Sequence, residues 1–137
     1  MLPNFYRFIA IFTFEDDGIH ITFPDLPGCV SFAVTEETAD KQAKDVLKLH
    51  LYGMEQDEEQ IPQASNLKTL MQRENLEQNE TFYMVEVYMP PFRDRQERRF
   101  VQKTLSLPYW LNLEAEHYGI DFSATLQNAL KRELQLL

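Results

Sequence analysis

The chain has 137 residues and a net charge of −9, from 13 lysines and arginines against 22 aspartates and glutamates. This length allows one ordinary domain or two small ones, and a hydrophobic fraction of 44% excludes an intrinsically disordered acidic chain. The single cysteine, Cys29, excludes an intramolecular disulfide. No segment approaches the roughly 18 apolar residues that a membrane-spanning helix needs. We therefore expect a cytoplasmic protein without a membrane partner.

The first 34 residues predict three strands of an antiparallel meander. Residues 5–14 are rich in aromatic and β-branched side chains, which favour strands. Asp17-Gly18 is a strong hairpin signal, and residues 19–23 then alternate between apolar and polar types. A rigid turn with two prolines and a glycine leads to a third strand over residues 29–34.

One long helix and a fourth strand follow. Apolar residues recur at helical spacing over residues 36–54, so this helix is expected to pack on the meander. Its apolar face includes His50, which we interpret as a packed core histidine. Residues 66–81 favour no element. Residues 82–89 predict a clear strand, which two prolines end because neither can donate to a sheet ladder.

Residues 99–107 predict a short strand that is followed by two helices. Pro108 suits the first turn of the first helix, Gly119 suits its C-terminal stop, and Asp121 suits the N-cap of the second. The second helix carries an apolar stripe formed by Phe122, Leu126, Ala129, Leu130, Leu134 and Leu137. Because so short a segment buries little surface alone, we expect two copies to pair their strands.

Charge is distributed unevenly along the chain. Residues 1–89 carry 6 basic and 16 acidic side chains, for a net charge of −10, whereas residues 90–137 have a net charge of +1. A uniformly acidic protein would repel nucleic acid. The division instead predicts two modules with different partners, one suited to a basic protein and one free to approach DNA.

The segment KTLSLPYWLNLEAEHYGIDFSATLQNALKREL resembles a ribbon-helix-helix DNA-binding domain. In that family two strands pair into an antiparallel ribbon that enters the major groove. Since successive strand residues point to opposite faces, the resemblance implies that Leu105 and Leu107 face the dimer core. Gln102, Thr104 and Ser106 would then read base edges by donating or accepting hydrogen bonds.

The same resemblance implies phosphate contacts at the N-terminus of the second helix. There Phe122 and Ser123 present free N–H groups, as in the family, and the cationic Arg98 and Arg99 precede the reading strand. Two departures from the family are the acidic Asp121 near the expected phosphate and Lys103 on the inward-facing phase of the strand. The alternative is a helical dimerisation tail that binds no DNA.

The segment GIHITFPDLPGCVSFAVTEETADKQAKDVLKLHL, followed by IPQAS, resembles the HicB-type antitoxins. The specific marks are the F-P-D-L-P-G-C turn, the T-E-E-T-A helix start and the I-P-x-x-S segment. The resemblance implies an α+β fold with a partial ribonuclease-H-like antiparallel sheet that lacks the metal carboxylates of the nuclease. It also implies that the chain neutralises a HicA-type toxin, which is a small basic mRNA-cleaving ribonuclease, and represses its own operon.

Three aspartates of the first domain have more than one possible role. Asp16, Asp17 and Asp25 are candidates for contact with the toxin. They could also be metal ligands of a working nuclease or plain turn residues, since aspartate is favoured in turns for backbone reasons. We expect no catalysis, no metal and no cofactor, and we interpret Cys29 as a buried structural residue.

The sequence thus predicts a toxin-binding domain over residues 1–89, a linker over 90–97 and a ribbon-helix-helix domain over 98–137. The expected partners are a HicA-type toxin, operator DNA and a second copy of the chain, with a higher assembly on toxin binding. The alternative is a dimeric transcriptional regulator or interaction protein that has no toxin partner.

Overall fold

The computed structural model describes residues 1–136, and the chain divides into unit 1, Met1–Arg99, and unit 2, Phe100–Leu137. Unit 1 contains four strands and three helices: β1 (Phe5–Glu15), β2 (Gly18–Thr22), β3 (Val30–Ala33), α1 (Glu36–Gln56), α2 (Leu67–Arg73), β4 (Glu80–Tyr88) and α3 (Pro90–Glu97). Unit 2 contains two helices, α4 (Tyr109–His117) and α5 (Phe122–Glu133). The protein therefore has the predicted α+β class. Leu137, the last residue of the predicted apolar stripe, lies outside the described residues.

The four strands form one antiparallel sheet in the order β3-β2-β1-β4. The predicted meander and fourth strand are confirmed. Gly18 follows the β1–β2 turn with a φ of +145°, and a Cβ there would lie 2.4 Å from the carbonyl oxygen of Ala33. Only glycine tolerates both conditions, which explains the Asp-Gly signal at this turn.

The core of unit 1 lies between the sheet and α1. On β1 the inward residues are Phe8, Ala10 and Phe12, and the buried residues of α1 recur at four-residue spacing. These helix residues are Ala39, Ala43, Leu47 and Leu51. Ile9 and Ile11 are also buried, although strand alternation points them to the opposite face of the sheet. β1 is therefore the most enclosed strand of the sheet.

Helix α2 is an element that the sequence does not predict. Asn66 caps it by accepting a hydrogen bond from the N–H of Thr69 at 2.8 Å. Leu70 is its single buried residue. A seven-residue helix with one buried side chain has no measurable periodicity, which explains why residues 66–81 favour no element.

Two further differences lie near the boundary of the units. Residues 90–97, predicted as a linker, form α3, because Pro90 and Pro91 occupy the first turn, where a missing N–H costs no helical hydrogen bond. Residues 99–107, predicted as a strand, have no strand pairing in this single chain. A strand needs a neighbour to complete its hydrogen bonds, so that prediction depends on a second copy.

Unit 2 has its helices where the sequence predicts them. Gly119 follows α4 with a φ of +68°, and Asp121 caps α5 by accepting a hydrogen bond from the N–H of Ala124 at 3.0 Å. No residue of unit 2 is buried within the described part of the chain, up to Leu136. In residues 1–136 no helix is long and apolar enough to cross a membrane.

Candidate functional site

Asp25 joins two segments that are distant in sequence. Its carboxylate accepts hydrogen bonds from the backbone N–H of Ser65 at 2.7 Å, from the hydroxyl of Ser65 at 2.9 Å and from Nη2 of Arg73 at 3.1 Å. Asp25 belongs to the F-P-D-L-P-G-C turn and Ser65 to the I-P-x-x-S segment. These two sequence marks therefore form one structural contact, which we call the Asp25 clamp.

The clamp explains the acid-base behaviour of Asp25. Burial by itself raises the pKa of the carboxyl, but the hydrogen bonds from Ser65 and Arg73 outweigh it and hold the pKa below its ordinary value. The side chain of Asp25 is only 9% exposed. Asp16 and Asp17, in contrast, are exposed at the β1–β2 turn. Contact of these three residues with a toxin stays a prediction, and Asp25 is the least accessible of them.

We expect Asp25→Asn to destabilise unit 1 by about 2 kcal/mol at pH 7, because hydrogen bonds to a charged group contribute roughly 1.5–3 kcal/mol. Because folding lowers the pKa of Asp25, this carboxylate contributes fully to the free energy of unfolding above its unfolded-state pKa of about 3.9. This contribution disappears as the pH falls through the lower folded-state pKa. Urea unfolding at pH 7 and at pH 3 should therefore show a smaller difference between variant and wild type at the lower pH.

Asp17→Asn is the control for this comparison, because it removes the same charge from an exposed turn residue. Its effect should stay within about 0.5 kcal/mol. Equal effects of the two substitutions at pH 7 would contradict a structural role for the clamp.

The described residues, 1–136, contain no group of three or more histidine, cysteine, aspartate or glutamate side chains that could hold a metal ion. Cys29 is buried, as predicted, and its thiol contacts the carbonyl oxygen of Val46 at 3.8 Å. Burial raises the pKa of this thiol to about 12, so it stays protonated and is a poor nucleophile at neutral pH. His50 is half-buried and packs less deeply than its position on the apolar face predicts.

Helix α3 is attached to α1 by an ion pair in which the Glu55 side chain is buried and Arg93 is partly exposed. Arg93 donates from Nε to Oε1 of Glu55 at 3.0 Å, from Nη2 to Oε2 at 2.7 Å, and from Nη2 to the carbonyl oxygen of Pro3 at 2.8 Å. Tyr6 donates its hydroxyl to Glu55 at 2.8 Å. In the sequence, Arg93 belongs to a run with Arg95, Arg98 and Arg99, which phosphate contact or a solvated linker would explain equally well. The structure instead gives it a structural role, and the adjacent apolar Phe92, which packs on the core, is the signal for it.

The other arginines of this run lie at the end of unit 1. Arg98 is the C-cap of α3, with a φ of +58°. Arg99 pairs with Asp94 and, at 3.3 Å, with Glu97. Phosphate contact by Arg98 and Arg99 stays a prediction, and Arg99 would have to exchange its present carboxylate partners for a phosphate.

Unit 2 contains an open apolar groove of about 470 Å³. We call it the unit 2 groove, and it is lined by Lys103, Leu105, Leu107, Asn112, Phe122, Ser123, Thr125, Leu126 and Ala129. The odd-numbered residues of segment 103–107 line the groove, whereas Gln102, Thr104 and Ser106 do not. The segment thus has the two distinct faces that its alternation predicts.

Asp121, one departure from the ribbon-helix-helix pattern, is the N-cap of α5. The carboxylate of Asp121 is occupied by the N–H of Ala124 in its own helix. Phe122 and Ser123 are the first two residues of that helix. The capped Asp121 keeps its negative charge beside these residues, and phosphate contact by Phe122 and Ser123 stays a prediction.

Comparison with known proteins gives the family. The family model described as HicB-like antitoxin of bacterial toxin–antitoxin system matches residues 7–126. The chain belongs to this family. A curated relative, an uncharacterised 14.9 kDa protein from the rep–hol intergenic region of Haemophilus phage HP1, is 34% identical over 53 residues. That match covers 39% of this chain, and the chain spans 40% of the length of the relative.

Solved structures of toxin–antitoxin complexes and of HicB antitoxins are similar in fold. A toxin–antitoxin complex from Streptococcus pneumoniae matches with a TM-score of 0.56 and 19% identity, over 94% of this chain and 99% of that chain. The antitoxin HicB of Burkholderia pseudomallei gives 0.52 and 19%, over 91% and 96%. A HicA3–HicB3 toxin–antitoxin complex gives 0.51 and 16%, over 58% and 95%.

Proposed function

We propose that the chain is a cytoplasmic antitoxin that binds and neutralises a HicA-type mRNA-cleaving toxin and represses its own operon by binding operator DNA. Residues 1–89 form the toxin-binding, partial ribonuclease-H-like domain, and residues 98–137 form a ribbon-helix-helix domain that pairs with a second copy. It catalyses no reaction. Membership of the HicB-like antitoxin family supports the first role, and the two-faced segment of unit 2 supports the second.

Charge supports a basic toxin as the partner of unit 1. Residues 1–99 carry 10 basic and 18 acidic side chains, so unit 1 has a net charge of −8. A ribonuclease that binds RNA phosphates has a cationic surface, and an acidic protein meets it faster than a neutral one does. One similar solved structure is a complex of HicA3 with HicB3. Unit 1 would occupy the cationic surface and exclude mRNA from it.

The lack of buried residues in the described part of unit 2 supports its dimerisation. Among its described residues none is buried, and many large apolar side chains are exposed. Examples are Phe100, Leu105, Trp110, Leu130 and Leu134. A segment of this size with no buried residue cannot offset its conformational entropy alone. A second copy, seated on the unit 2 groove and paired through residues 99–107, would supply the missing core and the missing strand neighbour.

The single observation that carries the DNA-binding role is the alternation of segment 102–107. If Leu105 and Leu107 contact the second copy, Gln102, Thr104 and Ser106 point away from the dimer core. Two such strands side by side would present six polar side chains on one surface, and these side chains can donate and accept hydrogen bonds at base edges of a major groove. A dimerisation tail would place the same polar residues in solvent, so a direct test of DNA binding distinguishes the two functions.

The double variant Gln102→Ala/Thr104→Ala should abolish the electrophoretic shift of the chain's own upstream DNA while toxin binding is unchanged. Each good base contact contributes roughly 1–3 kcal/mol, and a dimer loses four such side chains, so affinity should fall at least about a thousandfold. For the wild type, affinity should also fall steeply with salt concentration.

The control for this experiment is Gln127→Ala/Asn128→Ala, which removes two exposed polar side chains from α5 instead. It should bind the same DNA within about twofold of the wild type. Wild-type affinity in the Gln102→Ala/Thr104→Ala variant would refute the readout by this segment. A chain that binds its toxin but no DNA would support the dimerisation tail.

A further inference from the structure

An exposed apolar ridge follows the open edge of the sheet in unit 1. Val30, Phe32 and Val34 are 58%, 39% and 73% exposed. Alternation along β3 places Val30 and Phe32 on one face of the sheet, and Val34 directly follows the end of the strand. Strand β3 pairs with β2 on one side only, because it ends the strand order β3-β2-β1-β4. We call these three residues and the free edge of β3 the β3 ridge.

Carboxylates border the β3 ridge at the end that lies next to the β1–β2 turn. The ring of Phe32 lies against the β1–β2 turn, since a Cβ on Gly18 would be 2.6 Å from it. His20 lies between Phe32 and Asp17. The centroid of its ring is 5.1 Å from that of Phe32, and its Nε2 is 3.3 Å from the carboxylate of Asp17. The exposed Asp16 and Asp17 therefore lie beside the apolar residues.

The chain that leaves the ridge carries two more acids. Glu36 and Glu37 begin α1 directly after Val34 and Thr35, and both are exposed. An apolar centre with a charged rim is the usual anatomy of a protein–protein interface. Here the identified rim residues are all acidic, which selects a basic partner.

A second exposed apolar group on the same face of the sheet lacks this charge. Phe5 and Tyr88 pack with ring centroids 4.9 Å apart, and Met84 is exposed near them along β4. The charged side chains next to this group are Arg7 and Glu86, which pair with each other at 2.7 Å. Charge therefore distinguishes the two edges of the sheet, and it favours the β3 edge for a cationic partner.

We propose that the β3 ridge, with its rim of Asp16, Asp17, Glu36 and Glu37, is the surface on which unit 1 binds a small basic ribonuclease. This inference rests on the proposed antitoxin function and assigns its surface. The ridge contributes the apolar contact, and the free backbone groups of β3 can pair with a strand or loop of the partner. The carboxylates take the positions that RNA phosphates would otherwise occupy against the partner's cationic side chains.

The test uses the 137-residue chain and a HicA-type toxin that is purified in a catalytically inactive form. Val30→Arg/Val34→Arg places two positive charges on exposed positions of the ridge. We expect the Kd for the toxin to rise at least about a hundredfold, by charge repulsion and loss of apolar contact. Asp16→Asn/Asp17→Asn should mainly lower the association rate and weaken its dependence on salt.

Phe5→Arg/Met84→Arg is the matched control, because it adds the same two charges to exposed positions at the other edge of the same face. Its Kd should stay within about threefold of the wild type. Protection of the Cys29 thiol from labelling verifies that unit 1 is folded in every variant. A larger loss in the control than in the ridge variant overturns the assignment of the surface. A folded wild-type chain that does not bind the toxin overturns the antitoxin function itself.

Discussion

Replacing Leu126 with glutamate is expected to prevent the proposed dimerisation of unit 2 and, with it, the proposed binding to DNA. Leu126 lies on α5 and lines the unit 2 groove together with Phe122 and Ala129. A carboxylate at this position would lose its hydration in the proposed dimer, at a cost that pairing with the groove residue Lys103 would only partly offset, and it would occur twice by symmetry. A cost of roughly 4 kcal/mol or more raises the dimer dissociation constant at least about a thousandfold. Sedimentation equilibrium measures this change directly.

The matched control is Gln127→Glu, which adds the same charge at the adjacent, exposed position of α5. It should remain dimeric. Trp110, the only tryptophan, lies in unit 2 and reports this unit by its emission, whereas the thiol of Cys29 reports the core of unit 1. In Leu126→Glu the tryptophan signal should change and Cys29 should stay protected. A dimer of wild-type strength in Leu126→Glu is incompatible with the groove as the interface.

Arg93→Met is expected to destabilise unit 1 by about 3–5 kcal/mol, which is the usual result of removing one partner of a buried ion pair. Glu55 is 1% exposed in its side chain and Arg93 is 15% exposed. The substitution leaves the Glu55 carboxylate with only the Tyr6 hydroxyl as a side-chain donor. Pulsed labelling of Cys29 across a urea series measures the free energy of unfolding of unit 1 without interference from unit 2.

Two further variants separate the buried ion pair from a general effect of losing an arginine. Arg7→Met removes the partner of Glu86 in an exposed pair, and its effect should be below about 1 kcal/mol. Glu55→Leu/Arg93→Met replaces both buried charges and should recover most of the loss, because no charge is then left unpaired. If the double variant is no more stable than Arg93→Met, the unpaired carboxylate is not the cause.

Elements with strong local signals could be predicted from the sequence. The strands of unit 1, helix α1 and both helices of unit 2 depend on alternation, on helical spacing and on single residues such as Gly119 and Asp121. The resemblance to HicB-type antitoxins rests on three short marks, and the match of the family model confirms it. Local chemistry and short motifs were sufficient for this part of the fold.

Contacts between distant residues could not be predicted. The Asp25 clamp joins residues 40 positions apart, and the pair of Glu55 with Arg93 joins residues 38 positions apart. The sequence places Asp25 in a predicted turn, and it places Arg93 among several cationic residues. Their roles depend on which residues the folded chain brings beside them, and composition and spacing do not contain that information.

The position of β1 in the sheet also determines when unit 1 can fold. One neighbour of β1, strand β2, follows it directly in the chain. The other neighbour, β4, begins at Glu80. Glu80 pairs with Thr13, and these two residues are 67 positions apart. Closing so long a loop is slow, because its entropy must be lost before the contacts form. A chain released from the ribosome before Tyr88 would leave β1, with apolar side chains on both faces, open along one edge. Incomplete chains are therefore prone to aggregate, and only those synthesised through β4 can complete the sheet.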